Sequence, residues 1–151
     1  MTATEINGGD VVRQTPVHLW IVGILSLLWS AFGAFDYLAT QLELDFYMSA
    51  FTEEQLAYFY GFPSWSVAAW AFGVWGAVAG SIGLLLRKSW AVWAFAISLA
   101  GMAVNLVYTM FMTNGFEIMG EAAPIMTAVI WVVAIFLLVY AVAMRKRGIL
   151  T

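Results

Sequence analysis

The stretch from Ser64 to Leu86, SWSVAAWAFGVWGAVAGSIGLLL, carries no charged residue. As a helix it spans roughly 34 Å at ~1.5 Å per residue, which exceeds the ~30 Å of hydrocarbon in a bilayer. Within it Ala69, Gly73, Gly76, Gly80 and Gly83 recur at spacings of four, three, four and three, so they form a groove along one side of the helix. Glycine is a poor helix former in water, costing ~1 kcal/mol relative to alanine. Such a stripe needs a reason, and close approach of another backbone in lipid supplies one.

The rest of the chain agrees with a membrane setting. It is 64% apolar and 10% charged, whereas about a quarter of the residues in a soluble domain are charged. These values describe an integral membrane protein of one domain. The absence of cysteine excludes disulfides, thiolate metal sites and cysteine nucleophiles. His18 is the single histidine and leaves little for a metal cluster or proton relay. The glycines from Gly73 to Gly83 lie in an apolar helix with no lysine until Lys88, so they are no phosphate loop, and no serine sits in a nucleophile elbow. The inventory disfavours catalysis, and no cofactor, metal or nucleic acid is expected.

Four apolar runs follow from the pattern, at about 17–38, 64–86, 90–112 and 124–144, forming a transmembrane domain over 17–144. Residues 1–16 are a polar tail that contains Gly8-Gly9 and ends in a helix start at Pro16, and 145–151 form a basic tail. The first run exceeds a secretory signal in length and reads as an uncleaved span. Gly23, Ser26, Ser30 and Gly33 give it a small-residue face; Ala94, Ser98 and Gly101, with Asn105 above them, do the same for the third. Thr127, Ala134 and Ala141 mark a packing edge on the fourth. Thr52 and Gln55 fit a capping box, which starts a short interfacial helix among acids and aromatic rings. Arg87-Lys88-Ser89 allows only a tight hairpin, so spans two and three run antiparallel and adjacent, and Pro124 opens span four. The expected fold is an all-α antiparallel bundle of four transmembrane helices, with a short interfacial helix in the first outer loop.

Orientation comes from the charges. With four spans, Arg13, Arg87, Lys88, Arg145, Lys146 and Arg147 all fall on one side, and Glu43, Asp45, Glu53, Glu54, Glu117 and Glu121 on the other. The positive-inside rule then puts both termini in the cytoplasm of a bacterial inner membrane.

Few residues offer chemistry. Asp36 is the one ionisable group clearly within a span, where a carboxylate costs ~3 kcal/mol at the centre, although its position toward the outer boundary relieves that. It either marks the exit of span one or serves a solute or proton site. Asn105 falls within about one helical turn of the same height, which permits an Asp36–Asn105 bond, with Tyr108 a turn above and Tyr37 beside Asp36. Those atoms form an interhelical clasp or a binding site. Trp29, Trp75 and Trp131 lie nearer mid-membrane and are either ring-stacked fillers or the wall of a pocket for a lipid, quinone, carotenoid or sugar.

In order, W-S-A-F-G-A-F-D-Y (Trp29 to Tyr37), T-E-E-Q-L-A-Y-F-Y-G-F-P (Thr52 to Pro63) and W-A-F-G-V-W-G-A-V-A-G-S (Trp70 to Ser81) resemble a group of small four-span proteobacterial inner-membrane proteins, sometimes loosely labelled sugar transporters. The likeness covers most of the chain from His18 onward. It implies the four-span architecture and raises a transport reading, and it brings no functional residues with it. The residues themselves favour a non-enzymatic accessory or assembly subunit, or a self-associating bundle, whose partners are membrane lipids and other membrane subunits or copies of itself. An oligomeric small-solute transporter and a holder of an apolar ligand are the alternatives.

Overall fold

Each long apolar run becomes one helix in the computed structural model, which describes residues 3–6, 10–13 and 15–151. Helices α1 (Val17–Gln41), α4 (Ser64–Leu85), α5 (Ala91–Val107, continued by a π-helical turn over Tyr108–Met112) and α7 (Ala122–Lys146) are long and apolar enough to cross a membrane. The chain is a multi-pass membrane protein, all-α from Val17 onward. Short helices α2 (Asp45–Met48), α3 (Glu53–Tyr60) and α6 (Gly115–Met119) connect them at one end. In the tail, β1 (Ala3–Ile6) pairs antiparallel with β2 (Asp10–Arg13), a ladder the sequence reading did not anticipate. Gly8 and Gly9 lie outside the described residues.

Helix ends depart from expectation by a few residues. Pro16 and Pro63 occupy the position just before α1 and α4, each with φ −66° and extended ψ, rather than the first turn. Pro124 lies two residues inside α7, where its missing N–H has no intrahelical acceptor to lose. Thr52 and Gln55 form both bonds of the capping box, at 3.2 and 3.1 Å. Arg87, at φ 58°, turns α4 back into α5 in the left-handed region normally left to glycine.

The small-residue stripes of α4 and α5 meet along their whole length. A Cβ built on Gly101 would stand 2.5 Å from the Ala69 carbonyl oxygen, and one on Gly76 3.0 Å from that of Ala94. Two side-chain bonds cross the same seam: Ser98 donates to the Gly73 carbonyl at 2.6 Å, and Ser66 donates to the Asn105 side-chain oxygen at 3.2 Å. Helix α1 lies on the other side of α4, close enough at Gly23 to touch Leu85, with the Ser30 and Ser81 hydroxyls 3.4 Å apart.

Helix α7 packs on α5 and scarcely touches α1. Their one polar link is His18 Nδ1 with the Tyr140 hydroxyl, 2.5 Å apart. Beside it lies a hydrophobic core, where Leu19, Leu84, Phe95, Leu137, Ala141 and Met144 are buried together. The last residues join them: the chain turns at Gly148 (φ 74°), Ile149 and Leu150 enter this core, and the Thr151 N–H donates to the Arg87 carbonyl at 3.0 Å. Residues 147–151 are therefore a strap folded against the bundle, while Arg145 and Lys146 end α7. This end carries Arg87, Lys88 and Arg145 to Arg147 and is the basic end; the end of α2, α3 and α6 carries Glu43, Asp45, Glu53, Glu54, Glu117 and Glu121.

Candidate functional site

From the His18–Tyr140 contact α1 and α7 splay apart, and the space between them, backed by α4 and α5, is a cavity of about 530 Å³. Small residues make it possible. Gly33 has nothing within 4 Å of a built Cβ, and it lines the cavity along with Ala69, Gly73 and Ala77 of α4 and Thr127 and Ala134 of α7. The small faces of α1 and α7 were expected to pack throughout. They do so at Gly23, Ser26 and Ala141, and again at Ala34 and Ala39 of α1, all buried, but Gly33, Thr127 and Ala134 line the cavity instead. Toward the acidic end the same kind of face borders open volume. Phe32 and Met126, on facing rims, are 68% and 55% exposed, so the cavity opens sideways between α1 and α7.

The walls are apolar and aromatic, with Trp29, Trp70, Trp131, Phe95 and Phe116 among the lining residues. The polar groups gather toward the acidic end. Asp36 is half-buried there, and its Oδ1 accepts a hydrogen bond from the Tyr47 hydroxyl. Tyr47 reaches the cavity from α2, outside the spans, braced edge-on against Phe35 with ring centroids 5.4 Å apart. Its phenol is pushed above the ordinary tyrosine value, first by burial and then by the bond to Asp36 and that carboxylate's charge. Asn105 and Thr109 face the cavity from α5, at the point where the helix loosens into its π turn. Such turns free backbone groups, and here Thr113 Oγ donates to the Tyr108 and Thr109 carbonyls at 3.2 Å each.

The structure thus collects Trp29, Asp36, Asn105 and Trp131 around one volume and disperses the other candidates. Asp36 and Asn105 do not form the permitted clasp: each is held by another partner, Tyr47 and Ser66. Tyr37 turns away to meet Trp70 edge-on at 5.0 Å. Tyr108 is buried among Tyr58, Phe62 and Trp65 in an aromatic cluster under α3, and Trp75 is exposed on the outer side of α4. Sequence reasoning missed Tyr47, Trp70 and Thr109 and read Thr127 as a packing residue. Thr127 carried a signal, since a hydroxyl at heptad spacing with two alanines suits a cavity wall as well as a contact. Tyr47 carried none, because its reach depends on how α2 folds back over α1.

Among the described residues no group of His, Cys, Asp and Glu is arranged to hold a metal ion. No protein-family model matches the chain, and neither does any curated protein or solved structure. The geometry therefore carries the functional argument.

Proposed function

We propose that this is a non-enzymatic membrane protein whose intramembrane cavity takes up an amphiphile from the bilayer. The apolar body lies between α1 and α7 and the polar head at Asp36, Tyr47 and Asn105. The observation that carries this reading is the cavity itself, whose volume of about 530 Å³ falls among small-molecule pockets of roughly 300–1,000 Å³. Its lateral mouth between two spans suits a guest arriving from lipid. The basic end is placed in the cytoplasm of a bacterial inner membrane by the positive-inside rule, which puts the polar head site toward the opposite leaflet.

Two other readings weigh less. Transport needs the site to open to both sides, and the buried core around Leu19 and Leu137 closes the basic end. Assembly with other subunits was suggested by the small-residue faces, but α4 and α5 use theirs on each other. What remains for a partner is the exposed apolar surface of the spans, as at Leu28 of α1, Trp93 of α5 and Ile125 and Val132 of α7, a surface that lipid also covers. Gentle purification that returned only lone monomers would count against assembly.

The test fills the cavity. A neutral apolar fluorophore such as N-phenyl-1-naphthylamine, added to the purified chain in nanodiscs, is expected to take energy from the tryptophans at the wall. Gly33→Phe and Thr127→Trp should each lower that transfer to the level that partition into lipid alone gives, while helical content stays as in the wild type. Equal transfer in both filled variants would remove the cavity as a binding site.

A further inference from the structure

The proposed amphiphile has a charge, and three independent features of the site decide its sign. First, Asp36 is the carboxylate in the lining, Tyr47 is the other titratable group there, and no lysine, arginine or histidine lines the cavity among the described residues. The one donor on the carboxylate is a neutral phenol, so its charge is left without a counter-ion in a place where charge is costly. Second, Trp29, Trp70 and Trp131 present indoles to the same volume, and an indole face attracts a cation and repels an anion. Third, the approach is acidic. Glu43 and Asp45 flank the turn from α1 into α2, Glu117 lies on α6 and Glu121 just before α7, all exposed. Their field is felt locally: Tyr60 is raised above its ordinary value by partial desolvation and then by Glu43 and Asp45. The described bases of the spans and hairpin lie at the far end. An acidic rim raises the local concentration of cations and lowers that of anions.

We infer that the cavity selects a lipophilic monocation, an ammonium- or phosphonium-like head on an apolar body, with Asp36 as its counter-ion and the tryptophans as its walls. This rests on the cavity reading above and adds the charge of the guest. A neutral amphiphile would leave the Asp36 charge uncompensated, and an anion would meet repulsion from the rim, the carboxylate and the ring faces.

Two probes of nearly the same shape and opposite charge make the test: tetraphenylphosphonium and tetraphenylborate. Quenching of tryptophan fluorescence is measured for each in nanodiscs, with the signal of the Gly33→Phe variant subtracted to remove partition into lipid. The neutral fluorophore is measured in parallel. The phosphonium should show specific binding and the borate none. Asp36→Asn should weaken the phosphonium on the order of 30-fold. Asp36→Glu should keep the cation preference, which separates charge from any change in packing. If borate binds specifically as well as phosphonium does, or if Asp36→Asn leaves phosphonium affinity unchanged, the cation inference is overturned, and the cavity reading survives as long as the neutral fluorophore still depends on Gly33. If no probe shows Gly33-dependent binding, both are overturned.

Discussion

Two glycines on small-residue faces have opposite fates. The Cβ of Gly101→Ala would meet the Ala69 oxygen at 2.5 Å and the Gly73 nitrogen at 2.8 Å, backbone atoms that have no rotamer to escape into. That substitution should cost about 1–3 kcal/mol, as overpacking does, read as a lower denaturation midpoint in detergent. Gly33→Ala meets nothing within 4 Å, and its midpoint should stay within about 0.5 kcal/mol of wild type. Tyr47 gives a second prediction at this scale. Its folded phenol holds its proton more tightly than an unfolded one, so this linkage stabilises the fold fully below the ordinary value of 10.0 and fades as pH rises above it. In an alkaline absorbance titration, the phenolate signal missing from Tyr47→Phe should be one that appears late, after the ordinary tyrosines.

At the level of elements, the pairing of α4 with α5 was legible in the sequence. Two stripes of small residues joined by Arg87-Lys88-Ser89 can meet in only one way, and they do. The separation of α1 from α7 was not legible. A missing side chain is required equally where a neighbouring backbone presses close and where a space must stay open, and residue spacing does not distinguish the two. Gly23 and Gly33 carry the same letter on the same helix; Leu85 fills the place beside one and nothing fills the place beside the other. The strap was hidden for another reason, since Ile149 and Leu150 are too few to make a pattern, yet they are 7% and 3% exposed. Leu150→Ala should cost about 2 kcal/mol or more, measured as a lower unfolding temperature in detergent, and should loosen the basic end of α7.

For the molecule as a whole, charge sorting and structure agree on which segments share an end. Arg87 bonds Thr15 at 2.9 Å and Ser89 bonds the Thr151 carbonyl at 3.1 Å, so both tails and the hairpin meet on one side. On the opposite side the connectors contact one another, as where Gln55 donates to the Ile118 carbonyl at 3.3 Å. Because the chain has no cysteine of its own, single-cysteine variants report topology cleanly. Lys88→Cys and Gly148→Cys should label from the same compartment, and Glu54→Cys from the other. The acidic side is also where Asp36, Tyr47 and Asn105 lie, and there the sequence revealed the atoms without their partners. Asp36 and Asn105 were visible as polar residues in apolar runs, whereas Tyr47 became a neighbour only through the fold of α2.

Tyr47 is supplied by a connector of a single helical turn and not by a span. A guest that engages the Asp36 oxygen competes with that phenol, and when the phenol lets go, the segment around Tyr47 to Phe51 loses one of its ties to the bundle. Backbone amides there should exchange with deuterium faster when the cavity is full than when it is empty. The acidic end would then advertise whether the interior is occupied.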